Sequence, residues 1–331
     1  HGFKGAGKGI AILKCDFYVP GMGGTLHVLT GPTAVGKTEL SLRWSEMQPN
    51  GAEILSCDSL LVYRGMNIGT AKPTPQAMSR VPHHAIDVVP VDRQYSIAEY
   101  VDLAARTVGD VLDRGKKLLV TGGSGFYLKS FFAPVLDPVD VPESVSKAVR
   151  TLYRERGLPA LVARVRGLNP NGLAGLETRN PRRVIRALER CLASGRELPD
   201  LRRQFAAQPD PFGDVEKKVC LLSRSPESLK QRIRERTYQM LRDGLVEEVR
   251  RLLDAGIRRN PSAHRSIGYR ETIAFLESDG GDEDALARAI ISSTVSLVKK
   301  QQTWFKKQIP IDRVVDLDAC PEDPEPDVLF D

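Results

Sequence analysis

Two stretches of this sequence bring together the residue types needed to hold a phosphate and to move a proton. Gly31-Pro32-Thr33-Ala34-Val35-Gly36-Lys37-Thr38 has the spacing G-x-x-x-x-G-K-[ST]. In such a loop the glycines let backbone N–H groups turn onto phosphate oxygens, and the following helix adds partial positive charge at its N-terminus. Gly31, Thr33, Ala34, Val35, Gly36, Lys37 and Thr38 are therefore the candidate phosphate-binding residues, with Lys37 as a point charge and the Thr38 hydroxyl as a ligand for Mg²⁺. Gly2 and Gly7-Lys8 repeat part of this spacing, but Gly9 stands where Ser or Thr is required. The second stretch begins at Asp58. Its carboxylate can accept a proton from a weak nucleophile within hydrogen-bond reach; equally, an isolated Asp beside Ser59 can cap a turn.

The elements around these residues read as an α/β fold. Leu26 to Thr30 is a short β-like run, and a helical stretch follows from about Gly36 to Met47. Glu53 to Cys57 and His84 to Val89 read as further strands. Ile97, Tyr100, Val101, Ala104, Val108, Val111 and Leu112 recur at helical spacing, and Lys117 to Thr121 is another strand. Strands alternating with helices imply a mainly parallel sheet covered by helices, resembling the P-loop NTPases. In such sheets ligands sit at the carboxyl ends of strands, which is where Thr33, Asp58 and the Gly122-Gly123 pair fall. Strand signals then disappear until Val219 to Leu222, and the intervening Arg-rich stretch reads as an inserted helical module. Leu229, Ile233, Thr237, Met240 and Leu241 form one helical stripe, and a long helix is expected from Asp282 to Gln308. The resulting division is 25–137 and 209–318 for the core, 138–208 for the module, and 1–24 and 319–331 as flexible ends.

Charge points to a polyanionic partner. The net charge is +6, yet Ser146 to Gln208 holds 14 Lys and Arg against 5 Asp and Glu, a surplus of +9 that leaves −3 for the rest. Asn180-Pro181 is a helix start with Pro in its first turn. Arg183, Arg186 and Arg190 would then line one flank, with Arg182 a turn before Arg186. Val184, Ile185 and Leu188 form the neighbouring apolar face. Such a row suits a phosphate backbone, or simply a solvated surface paired with Glu177 and Glu189. The five cysteines, Cys15, Cys57, Cys191, Cys220 and Cys320, show no C-x-x-C, so neither a zinc site nor a disulfide framework is indicated. His83 and His84 have no third ligand at metal-binding spacing. No apolar run reaches the roughly 18 residues that span a bilayer, and His1 to Gly24 lacks the apolar segment of a secretory signal. A cytoplasmic protein, without a membrane and monomeric, is expected.

The sequence resembles the tRNA dimethylallyltransferases, also called tRNA isopentenyltransferases. The resemblance rests on Gly31 to Thr38, Asp58-Ser59-Leu60-Leu61-Val62-Tyr63-Arg64-Gly65, Ile68-Gly69-Thr70-Ala71-Lys72-Pro73, Pro82-His83-His84 and Gly122-Gly123-Ser124-Gly125-Phe126-Tyr127. It continues through Asn180-Pro181-Arg182-Arg183, Ser266-Ile267-Gly268-Tyr269-Arg270-Glu271 and Gln302-Thr303-Trp304-Phe305. These segments come in the family's order between about Leu26 and Lys307. The resemblance implies transfer of a dimethylallyl group from its diphosphate to N6 of adenine 37 in the tRNA anticodon loop, releasing diphosphate. It also implies Asp58 as general base and Ser124, where the family commonly has Thr, as hydrogen-bond partner to the reacting amine or a phosphate. Further implied are contacts to tRNA by Asp58, Ser59, Leu60 and Leu61, by Arg182, Arg183, Val184, Ile185 and Arg186, and by Arg265, Ser266, Ile267, Gly268, Tyr269 and Arg270. The family often has Gln where Leu61 stands. Lys72, Lys129 and Arg270 are candidate partners of the diphosphate, and Trp304 and Phe305 either stack on bases or belong to the core.

Three other readings compete. An adenylate isopentenyltransferase acting on free AMP or ATP would need no long basic surface. A small-molecule P-loop kinase would turn over ATP, although no apolar run ends in the Asp that usually holds its metal. A non-catalytic RNA-binding protein would function without Asp58.

Overall fold

Thr25-Leu-His-Val-Leu-Thr30 forms β1, in which the period of two sends Leu26 and Val28 to one face and Leu29 to the other. Both faces are buried, as a parallel strand covered by helices requires. The computed structural model describes residues 23–278, 281–320 and 326–330. After β1 come α1 (Lys37–Glu46), β2 (Ala52–Ser56), α2 (Pro75–Arg80), β3 (His83–His84), α3 (Ile97–Asp113), β4 (Lys117–Gly122) and α4 (Gly125–Lys129). Then follow α5 (Glu143–Gly167), α6 (Pro181–Ser194), α7 (Leu198–Ala206), β5 (Glu216–Ser223), α8 (Pro226–Arg242) and α9 (Leu245–Asp254). Next come α10 (Pro261–His264), α11 (Tyr269–Glu277), α12 (Glu283–Gln308) and β6 (Arg313–Asp316), and a 3-10 turn at Pro326–Leu329 ends the described elements.

The six strands form one sheet in the order β3-β2-β4-β1-β5-β6, every pair parallel. β1 is central: Val28 is in register with Val120 of β4 on one side and Val219 of β5 on the other. One face packs Leu26, Val28 and Val120 against Tyr100 and Val108 of α3 and Leu245 and Val249 of α9. The other packs Leu29, Ile54 and Leu222 against Leu40 and Trp44 of α1 and Leu229 and Ile233 of α8. The expected α/β class, a parallel sheet flanked by helices, is therefore the observed one.

The third strand is shorter than the sequence implied. Of the run His84 to Val89 only His84 pairs with β2, together with His83 before it, because Ala85 and Asp87 adopt left-handed backbone with φ of 60° and 52°. Val89 returns as an isolated bridge to Tyr63. α2, capped by Thr74 with Pro75 in its first turn, and β6 are elements that the sequence reading did not include.

The chain divides into two units, one formed by 133–210 and the other by the segments on either side of it. The smaller unit is helical and has its own core, in which Val149, Leu161, Val165, Val184 and Leu188 are buried together. α5 is two helical runs joined at Gly157, whose φ of 69° breaks the spiral just before Pro159. Of the ends expected to be flexible, 1–22, 321–325 and 331 lie outside the described residues. Residues 326–330 are placed instead by packing: Leu329 is fully buried, and Phe330 meets the rings of His27 and Trp44 edge-on at 4.9 and 5.4 Å.

Candidate active site

The Gly31–Thr38 loop joins β1 to α1, the position a phosphate cradle needs, with Gly36 in the left-handed region (φ 117°) as it turns into the helix. Lys37 folds back under the loop, its Nζ donating to the carbonyls of Gly31 at 2.9 Å and Pro32 at 2.8 Å. Burial pushes its pKa down to about 8; the Asp58 carboxylate works against that shift, and Arg236 adds to it. Thr38 is exposed at the first turn of α1.

Asp58 leaves the carboxyl end of β2. Its Oδ1 accepts the Leu60 N–H at 2.9 Å, so the residue does cap the turn that the sequence allowed. Among the described residues Oδ2 accepts no hydrogen bond from the protein. Asp58 also borders both cavities described below, so capping and proton acceptance are compatible in the same side chain. The loop after β4 is bound to the loop after β2. The Ser124 N–H donates to the Cys57 carbonyl at 3.1 Å, and Ser124 Oγ accepts the Ser59 N–H at 2.9 Å and donates to Ser59 Oγ at 3.2 Å. This approach requires Gly122: a Cβ there would lie 2.2 Å from the Cys57 carbonyl oxygen.

Two cavities of the larger unit meet at this point. One, of about 470 Å³, is lined by Gly36, Lys37, Thr38 and Arg232 on the P-loop side. The other, of about 740 Å³, is bordered by Ser124, Phe126, Ile233, Met240, Arg265 and Trp304, among others. Thr33, Ala34, Lys37, Asp58, Thr70 and Arg236 line both. The larger cavity is mostly apolar in its walls with a few polar groups converging on one end, the usual composition of a small-molecule site.

Several functional candidates were not found by sequence reasoning. Arg236 lies on α8 next to Thr237, a member of the stripe read only as a helix face. Its Nη2 donates to the Thr70 carbonyl at 3.3 Å, and burial lowers its pKa, opposed by the charge of Asp58. Gln301 reaches from α12 to the P-loop, accepting the Thr33 N–H at 2.9 Å. Glu248 of α9 is buried and holds the Asn67–Gly69 backbone, accepting the N–H of Asn67 at 3.0 Å, Ile68 at 2.8 Å and Gly69 at 3.2 Å. Each of these contacts crosses well over a hundred residues of chain, beyond the reach of local pattern. In the stripe on α8, Ile233, Thr237 and Met240 line the larger cavity as well as packing.

Other expected residues are engaged elsewhere. Lys72, a candidate diphosphate partner, is instead paired with Asp87 and donates to the Tyr63 carbonyl at 2.9 Å, its side chain only 4% exposed. Lys129 donates to Gln308 and borders neither cavity. Arg270 pairs with Glu271 and Ser293 at 2.8 and 2.9 Å. Arg265, Ser266, Ile267 and Gly268 border the larger cavity together with Ser59 and Leu60, whereas Leu61 borders the smaller one. Two residues included among the expected tRNA contacts are corrected by their burial: Tyr269 and Val184 are fully enclosed in their cores and present no side chain outward. Ile185 is half-buried. Trp304 walls the larger cavity against Gly125, and the buried Phe305 belongs to the core while also lining that cavity. His84 is hydrogen-bonded to the buried Glu53 at 2.7 Å and His83 to the Val81 carbonyl.

In the helical unit Asn180 caps α6 through its side chain, accepting the Arg183 N–H. The Arg row is partly neutralised by its own neighbours. Arg183 pairs with Glu177 at 3.1 Å, Arg186 lies 3.6 Å from both Asp137 and Glu189, and Arg190, half-buried, lies 2.7 Å from Asp137. Arg182 is exposed. No described helix is long and apolar enough to cross a membrane, and no group of three or more His, Cys, Asp or Glu that could hold a metal occurs among the described residues.

Residues 61–308 match the family model described as IPP transferase. The chain is 54% identical over 291 residues to a tRNA dimethylallyltransferase of Opitutus terrae, spanning 88% of this chain and 92% of that protein. It is 39% identical over 292 residues to the tRNA dimethylallyltransferase of Deinococcus radiodurans, spanning 86% and 90%. Among solved structures it is similar to the full-length tRNA isopentenylpyrophosphate transferase of Bacillus halodurans, with a TM-score of 0.62, 29% identity and coverage of 88% and 90%. It shares its fold, at 21% identity and a TM-score of 0.74, with a eukaryotic dimethylallyltransferase acting on tRNA, covering 88% of this chain and 73% of that one.

Proposed function

The chain belongs to the IPP transferase family, and on that premise we propose that it is a tRNA dimethylallyltransferase that alkylates N6 of adenine 37 in the anticodon loop. The observation that carries the mechanism is the position of Asp58, where a cavity lined by Gly36, Lys37 and Thr38 meets a mostly apolar one. The diphosphate of dimethylallyl diphosphate rests on the amides of Gly36, Lys37 and Thr38, with Lys37 and Arg236 as counter-charges. The adenine enters the larger cavity beside Ser124, after leaving its stack at a cost of a few kcal/mol. N6 attacks the allylic carbon, the carbon–oxygen bond to diphosphate breaks, and the N6 proton passes to the Asp58 carboxylate. Positive charge develops on the allylic carbon, so apolar walls such as Ile233, Met240 and Trp304 serve to keep competing water out.

The Thr38 hydroxyl, which lines the smaller cavity, is a hard oxygen that would hold a Mg²⁺ ion there. Such an ion supplies charge neutralisation for the departing diphosphate. Ser59, Leu60 and Arg265 to Gly268, at the border of the larger cavity, together with Arg182, Arg183 and Arg186 of α6, contact tRNA in this reading, within the cytoplasm where tRNA is found.

Incubation with tRNA and radiolabelled dimethylallyl diphosphate, followed by nucleoside analysis, tests the assignment. Label in N6-dimethylallyladenosine is expected. Labelling of free AMP in preference to tRNA would move the protein to the adenylate isopentenyltransferases, and ATP turnover without prenyl transfer would move it to the kinases.

A further inference from the structure

Gln301 occupies an unusual place. It projects from α12, and its amide closes the strand end of the phosphate loop: Oε1 accepts the Thr33 N–H at 2.9 Å while Nε2 donates to the Gly123 carbonyl at 3.1 Å. Both halves of the amide are therefore used, and a single side chain ties the donor's loop to the loop that carries Ser124. The fit is close. A Cβ on residue 123 would lie 2.8 Å from Gln301 Nε2 and 3.4 Å from the Gly31 carbonyl oxygen. The same end of the loop is fixed from beneath by Lys37, through the carbonyls of Gly31 and Pro32. Arg232 holds the Ala34 carbonyl at 2.8 Å and Arg224 the Val35 carbonyl at 3.0 Å.

A phosphate chain lying in a P-loop runs from the helix end, where the amides of Gly36 to Thr38 converge, towards the strand end. Here the strand end is already filled. A third phosphate extending towards Thr33 would have to expel Gln301, breaking two hydrogen bonds, and would then face the carbonyl oxygen of Gly123, an acceptor that repels it. We propose that Gln301 is a specificity-determining residue that limits the cradle to two phosphates, so that a prenyl diphosphate is admitted and a nucleoside triphosphate is refused. The inference deepens the proposed function and rests on its placement of the donor's diphosphate in the P-loop.

The test compares inorganic pyrophosphate with inorganic tripolyphosphate by calorimetric titration of the full chain at a fixed Mg²⁺ concentration. The unsubstituted protein should bind pyrophosphate at least about tenfold more tightly, the scale of one hydrogen bond to a charged group. Gln301→Ala should bring the ratio close to one. Gly123→Ala, which pushes the same side chain away from the other side, should narrow it too, and serves as the second variant if the first folds poorly. Tripolyphosphate binding as tight as pyrophosphate in the unsubstituted protein, or discrimination that persists in both variants, would overturn the proposal while leaving the cradle in place. If the unsubstituted protein binds neither anion, the placement of the diphosphate itself fails.

Discussion

The Tyr269 hydroxyl donates to Glu248 at 2.7 Å with both side chains buried, and the same carboxylate receives three backbone N–H groups from Asn67, Ile68 and Gly69. Gly69 packs directly on the Tyr269 ring; a Cβ there would sit 2.6 Å from it. The next residue, Thr70, offers its carbonyl to Arg236, so this buried carboxylate sets the position of a cationic side chain in the cavity. Tyr269→Phe removes one of four donors and should cost about 1–2 kcal/mol in urea unfolding. Glu248→Gln should cost more, because its amide group confronts backbone donors, and should raise KM for the prenyl donor. An unchanged KM in a folded Glu248→Gln protein would detach the Asn67–Thr70 loop from the placement of Arg236.

The Lys37 ammonium, held down to a pKa of about 8, titrates within an accessible range. In the proposed placement of the donor's diphosphate, the protonated form is the one that binds it. Below pH 8 the charge is present and kcat/KM for the donor should be flat; as pH rises through about 8 the free enzyme loses the proton and kcat/KM should fall. Lys37→Arg, whose guanidinium stays charged, should lack this limb even if its overall rate is lower. A limb that persists unchanged in the Arg variant would assign the titration to another group.

Asp58→Asn keeps an Oδ1 to accept the Leu60 N–H, so the turn and the fold should survive. In the proposed mechanism this removes the proton acceptor, and single-turnover rates should drop by roughly 10²-fold or more. Binding of tRNA, measured by filter retention, should change little. Near-normal turnover would leave Asp58 with its capping role alone.

The ion pairs on α6 separate the Arg row into two kinds. Arg182 is exposed and Arg183 is held only by a surface pair with Glu177, the kind worth about 1 kcal/mol or less, so both are available to phosphates. Replacing both by Ala should lower the slope of log K against log[salt] for tRNA by about 1.4, at roughly 0.7 per contact. Arg190, set against Asp137, should behave differently: Arg190→Ala should lower thermal stability and leave the salt slope as it is. A salt slope unaffected by the double substitution would place the tRNA surface towards Arg265 to Gly268.

What the sequence made legible was local. The phosphate loop is defined by contiguous residues between a strand and a helix, and Asp58 by its place just after a strand, its role as a base being implied only by the family resemblance. The α6 cap at Asn180 was visible for the same reason. Glu248, Arg236 and Gln301 were not, because their partners at Asn67, Thr70 and Thr33 lie far away in the chain and no periodicity distinguishes them from other polar residues on helix faces. Lys72 misled in the opposite way. Its place in a recognisable run suggested the diphosphate, but the left-handed turn at Asp87 presents a carboxylate to it. The same backbone turn cut short the third strand, and β-propensity along His84 to Val89 could not reveal it.

The strand order has a further consequence for how the polypeptide is made. β1 is synthesised before both of its neighbours, which end at Gly122 and Ser223, with the whole helical unit translated between them. At a synthesis rate of roughly 5–20 residues per second, one edge of the central strand stays open for on the order of 5–20 s after the other has closed. During that interval the backbone N–H and C=O groups of Thr25–Thr30 on that side stay unpaired and ready to pair with any exposed strand. The nascent chain is therefore most open to chaperone capture, and to misassembly with other chains, while its own helical insert is still being translated.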